Sequence, residues 1–163
     1  TMKKIVSVII ILILLLSRAS SVYAFDYDVR PLSMRVVLEK YNSPIVGYEV
    51  ELIQIAEKYG LDWTLLAAIA GTESSFGKRM PANCLNPYGW GVYGDNKLCF
   101  KSFPEAAEAV AKGLSSRYNI SSLESIGRTY NKVSTEGWVN HTHFFSNKIK
   151  NASIPVAELP IEL

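Results

Sequence analysis

The chain reads as a mainly α domain in which a Gly- and aromatic-rich loop, or short hairpin, lies beside a buried helix. Three observations predict this. Apolar residues recur at helical spacing in several stretches. Serine, aspartate and proline stand where those stretches open, and glycine where they close. One segment, residues 77–101, breaks the pattern: Gly77, Pro81, Pro87, Gly89, Gly91 and Gly94 are interleaved with Tyr88, Trp90 and Tyr93.

Residues 1–24 are set aside as a secretory signal peptide. Lys3 and Lys4 give a basic start, residues 5–16 are apolar except for Ser7, and Val22-Tyr23-Ala24 offers small residues at −3 and −1 of a cut before Phe25. An apolar run this short falls below the roughly 18 residues of a spanning helix. The expected product has no stable membrane anchor and works in the periplasm, cell wall or extracellular space.

Residues 25–44 are an irregular lead-in with a short helix over 34–41, ended by Asn42-Ser43-Pro44. Residues 45–151 form the main domain. From 47 to 59, Val50, Leu52, Ile53, Ile55, Ala56 and Tyr59 approximate one helical face, and Gly60 stops the run. Asp62 is placed to cap the next helix by accepting from its first-turn amides. That helix, apolar throughout, runs to about residue 75. Ser102-Phe103-Pro104-Glu105 reads as a capping box with proline in the first turn, and Ala106, Ala107, Val110, Ala111 and Leu114 face inward behind it. Ser121-Ser122-Leu123-Glu124 opens a short helix ending near Tyr130. A last helix covers 136–150, with Trp138, Val139, Phe144, Phe145 and Ile149 apolar. Residues 152–163 are a loose tail.

Composition narrows the function. Without Lys3, Lys4 and Arg18 of the leader, 14 basic residues face 15 acidic ones, so the net charge falls from +2 to −1. No basic patch argues for nucleic acid, and net charge gives no attraction to an anionic polymer. Cys84 and Cys99 are the chain's two cysteines, and an oxidising compartment lets them close a disulfide. Two cysteines and two histidines in no ligand spacing argue against a metal site. His141 and His143, two apart on a helix, face different directions. Asn119-Ile120-Ser121, Asn140-His141-Thr142 and Asn151-Ala152-Ser153 match glycosylation acceptors, which matter only in a eukaryotic secretory host. No cofactor is expected, and the protein is expected to be a monomer.

The chemistry centres on Glu73, delivered at the end of the apolar helix just before Gly77. Cleaving a glycosidic bond needs a proton for a poor leaving-group oxygen, and positioned acid catalysis contributes about 10²–10⁴-fold. The acid must stay protonated near neutral pH, which an apolar wall achieves by disfavouring the carboxylate. Ile69, Ala70 and Phe76 lie behind Glu73 in sequence, and the Tyr/Trp loop ahead. Aromatic faces suit the C–H-rich faces of pyranoses; Asn83, Asn86 and backbone amides suit N-acetyl and hydroxyl groups.

Glu73-Ser74-Ser75-Phe76-Gly77 followed by Asn86-Pro87-Tyr88-Gly89-Trp90-Gly91 resembles the lysozyme-like superfamily, in particular bacterial glucosaminidase-type domains and lytic transglycosylases that cut peptidoglycan. Tyr59-Gly60-Leu61-Asp62-Trp63, the stretch after Phe100 and Thr129-Tyr130-Asn131 also fit, so the resemblance covers roughly residues 45–147. It implies a lysozyme-like helical domain, with Glu73 as catalytic acid and peptidoglycan glycan strands as partner. It implies that Ser74, Asn86, Tyr88, Gly89 and Trp90 bind substrate along the cleft, and that Tyr130 sits beside the reacting sugar. The Gly-Leu-Met-Gln phrase of many lytic transglycosylases is absent. Two-carboxylate hydrolases need a second acid about 5–5.5 Å away for retention or about 6.5–9.5 Å for inversion. Between Glu73 and Ser102 the only other acid is Asp95, in a phrase that reads as a turn. A route in which the substrate supplies its own nucleophile needs Glu73 alone. The rival readings are an inactive glycan-binding module on the same scaffold and an envelope protein whose aromatic loop meets another protein.

Overall fold

The computed structural model describes residues 28–92 and 97–155. The expected signal peptide, Tyr93, Asp95 and the end of the tail lie outside them. Six α-helices follow in order: α1 Arg30–Lys40, α2 Glu49–Lys58, α3 Leu65–Ser74, α4 Phe103–Arg117, α5 Leu123–Tyr130 and α6 Thr135–Lys150. No strand occurs among the described residues, so the segment between α3 and α4 is loop there and not a hairpin.

The centre is α3. Leu65 through Gly71 are all buried, so the helix has no solvent face until its last turn. It packs on α6 most extensively and also touches α2 and α4; α5 and α1 close over α6. Gly71 makes the α3–α6 approach feasible, because a Cβ there would sit 2.9 Å from the Phe145 ring. Tyr41, Phe76 and Phe145 pack together beneath this crossing, with ring centroids 4.9–5.7 Å apart.

Helix α1 begins earlier than expected because Pro31 fits a first turn, where its missing amide leaves no bond unmade. In α2 the buried stripe is Glu49, Leu52, Ile53 and Ala56, an i, i+3, i+4, i+7 set. Val50 is therefore 46% exposed, contrary to its expected place on the apolar face. Glu49, at 1% exposure, accepts from the Gly47 amide at 2.9 Å and from Arg35 at 3.2 Å, which satisfies a carboxylate otherwise costly to bury. Asp62 acts two residues before the cap position, which Thr64 holds without a side-chain cap bond. Its Oδ1 accepts from the Thr64 amide at 2.9 Å, and Oδ2 pairs with Lys150 of α6 at 2.6 Å.

The α4 start matches its reading: Ser102 accepts from the Glu105 amide at 3.2 Å, while Glu105 reaches back to the Lys101 amide at 2.6 Å. Ser122 caps α5 in the same way, through the Ser125 amide at 3.1 Å. On α6, Trp138, Thr142 and Ile149 are buried, whereas Phe144 is 52% exposed. No helix among the described residues is long and apolar enough to cross a membrane.

Candidate active site

Glu73 reaches the surface because α3 ends in a forced turn. Ser75, Phe76 and Gly77 follow in succession with φ of 51°, 57° and 85°. Left-handed backbone at a non-glycine residue costs about 1–3 kcal/mol and persists only where its surroundings impose it. Here the Ser74 hydroxyl accepts from the Gly77 amide at 2.8 Å and directs its proton between Pro87 O (2.7 Å) and Ala70 O (3.0 Å). Phe76 is fully buried, and its carbonyl accepts from Ser43 Oγ at 2.8 Å. The turn is thus held by both flanking segments, and Glu73 projects two residues before it.

The Glu73 side chain is exposed, as a group that meets a substrate must be, yet protein flanks its carboxyl. Oε1 accepts from the indole Nε1–H of Trp138 at 2.7 Å. Oε2 lies beside Gly89, 3.6 Å from where a Cβ on that residue would stand. Loss of hydration raises the Glu73 pKa above its ordinary 4.5, and the Trp138 hydrogen bond opposes part of that rise. An indole N–H can only donate, so Oε1 is committed as an acceptor. The carbonyl-type oxygen is the better acceptor, so this bond favours Oε2, the oxygen next to Gly89, as the one that carries the proton when Glu73 is protonated.

Trp138 is fixed in turn. Tyr130 stacks on it with ring centroids 5.0 Å apart and 25° between planes. The Tyr130 hydroxyl donates to Tyr88 O at 2.8 Å, tying the end of α5 to the loop after α3. Burial, and after it the Glu73 charge, hold this phenol protonated far above the usual range.

The loop is built around Asn86, whose side-chain amide donates to Trp90 O (2.7 Å) and Leu98 O (2.8 Å). Its oxygen accepts from the amides of Tyr88 (3.3 Å) and Trp90 (3.1 Å). Cys84 and Cys99 form a disulfide, with Cα atoms 4.7 Å apart, that closes the loop at its base. Trp90 then lies against α4 at Gly113, where a Cβ would come within 2.2 Å of the indole. Its ring also meets Tyr118 and Tyr130, at 5.9 and 5.7 Å. Between this loop and the ends of α4 and α5 runs a groove of about 740 Å³, lined in part by Gly89, Trp90, Tyr118 and Tyr130.

The structure therefore gathers Glu73, Gly89, Trp90 and Tyr130 at one place. Gly89 and Tyr130 line the groove and flank Glu73, which does not itself line it. Three residues expected along the cleft sit beneath it instead. Asn86 (3% exposed) spends its amide inside the loop, Ser74 (4%) bonds the α3 turn, and the Tyr88 ring (1%) belongs to the core. Their side chains shape the wall from behind. Asn83 is exposed on the loop, and Asp95 falls outside the described residues. Trp138 and Gly113 were missed. Trp138 sits at a core-like position on α6, and its single polar atom was the one sign of a second role.

Compared with protein families, curated proteins and solved structures, the chain matches none.

Proposed function

We propose that the protein is an exported, lysozyme-like glycosidase of the glucosaminidase or lytic transglycosylase type, cleaving the β-1,4 glycan backbone of peptidoglycan with Glu73 as general acid. The observation that carries this reading is the Glu73 carboxyl itself. Partial loss of hydration raises its pKa, Trp138 aims it, and it is set beside Gly89 and Tyr130 at the edge of an aromatic groove. The Cys84–Cys99 disulfide supports an oxidising destination.

Oε2 delivers its proton to the glycosidic oxygen as the C1–O bond breaks, and positive charge develops at the ring. Loss of hydration raises the pKa of Glu73 and the Trp138 hydrogen bond opposes part of the rise. A substrate-assisted route needs this one acid alone. An oxygen of the same sugar, from its acetamido group or its 6-hydroxyl, forms the new bond to C1. In the hydroxyl case the Glu73 carboxylate then takes up the hydroxyl proton, restoring the acid and leaving an anhydro end. In the acetamido case water attacks C1 and breaks its bond to the acetamido oxygen, and the water proton passes to the Glu73 carboxylate, restoring the acid.

The test is solubilisation of purified peptidoglycan. The native protein is expected to release soluble fragments, and Glu73→Gln to lose about 10²-fold or more of that rate. Equal release by both proteins would refute the assignment.

A further inference from the structure

The groove carries charge that its aromatic residues do not require. Arg117, from the last turn of α4, and Lys132, just beyond α5, both line it, and no acidic side chain lines it among the described residues. Neither cation takes part in any of the ion pairs among the described residues. Arg117 is nonetheless held in place. Its guanidinium lies 5.7 Å from the centroid of the Trp90 ring. It also crosses α4 at Gly113, where a Cβ would stand 2.9 Å from it. The missing side chain thus admits both the indole and the guanidinium to the groove wall.

We propose that Arg117 and Lys132 form a carboxylate-holding subsite, so that the groove selects a glycan bearing acidic substituents over a neutral one. The inference rests on the proposed reading of the groove as a glycan site and names its substrate class. Stacked pyranose rings against Trp90 and Tyr118 leave ring substituents projecting sideways. Two cations at the groove meet carboxylates carried on alternate sugars, as on β-1,4 strands whose lactyl groups have been freed of their stem peptides. Selection is local, because the chain without its leader carries a net charge of −1 and exerts no overall attraction on a polyanion. A guanidinium lying on an indole offers its edge N–H groups to a carboxylate in bidentate fashion, whereas the Lys132 ammonium acts as a point charge.

The test is binding to full-length Glu73→Gln protein, which holds ligand without turning it over. Two tetrasaccharides of the same β-1,4 backbone are compared: one alternating N-acetylglucosamine with N-acetylmuramic acid, its lactyl carboxylates free, and chitotetraose, which lacks them. The acidic ligand is expected to bind about tenfold or more tightly, as charge-assisted hydrogen bonds imply, with the difference shrinking in high salt. Lys132→Gln and Arg117→Gln are each expected to weaken the acidic ligand about tenfold and to leave chitotetraose within about twofold. Equal affinity for the two ligands would overturn the proposal, as would an equal loss on both in the Lys132 variant. Charge preference without turnover by the native protein would keep the subsite and remove the catalytic reading. Turnover without charge preference would do the reverse.

Discussion

The indole N–H of Trp138, on α6, bonds Oε1 of Glu73, on α3, at 2.7 Å across 65 residues of chain. The bond links the two most extensively packed helices of the fold at the point where the candidate acid emerges. It divides the carboxyl into one oxygen held by the protein and one left for a substrate.

Because this hydrogen bond favours the charged form of Glu73, removing it raises the Glu73 pKa further. A general acid works while protonated, so activity falls as pH rises through that pKa. Trp138→Phe is expected to move the descending limb of the pH–rate profile to higher pH. It should also lower kcat at the optimum, as the carboxyl loses its fixed orientation. A limb left in place, measured on soluble glycan fragments, would contradict the assignment.

The same carboxyl makes stability depend on pH. Its folded pKa lies above the ordinary 4.5, so the native state disfavours ionisation. Below that ordinary value both states are protonated and nothing is lost; stability declines as pH climbs from 4.5 through the raised pKa. Glu73→Gln removes the charge and keeps an oxygen for Trp138. Its Tm is expected to match the native protein near about pH 4 and to exceed it near about pH 8. Thermal melts at both pH values check the sign.

Ser74→Ala strands the Gly77 amide and Pro87 carbonyl, both bonded to the buried hydroxyl. A destabilisation of about 1–3 kcal/mol is expected in urea unfolding. Peptidoglycan release should fall beyond what unfolding explains, since the left-handed turn that aims Glu73 loses its tie. Unchanged specific activity of the folded variant would show that the turn holds without Ser74.

Gly113→Ala places a Cβ within 2.2 Å of the Trp90 indole. The ring must move out of the groove wall, with an overpacking cost of about 1–3 kcal/mol. Binding of chitotetraose is expected to weaken and Trp fluorescence to shift. Native binding in this variant would show that Trp90 does not form the wall.

Much of the architecture was legible from local rules. The Ser102 and Ser122 caps, the apolar run of α3 and the Cys84–Cys99 pair are written in adjacent or nearby residues, where propensity and spacing decide. The site was legible only in outline. Glu73 stood out because α3 offers no other acid, but whether an asparagine amide in a Gly-rich loop meets a sugar or its own backbone depends on how the loop closes. Asn86 closes it. Ser74 and Tyr88 went the same way, claimed by tertiary packing that has no local sign. Glu49 and Val50 exchanged places because a buried carboxylate was supported by Gly47 and Arg35, partners invisible to helical periodicity.

The central claim is that Glu73 protonates the bond that breaks, with the nucleophile supplied by the sugar. Mass spectrometry of muropeptides released by the protein without residues 1–24 and by its Glu73→Gln variant tests it most directly. Abundant fragments are expected from the native protein, anhydro-ended where the 6-hydroxyl attacks, and almost none from the variant. Fragments of the same kind and amount from both proteins would contradict it.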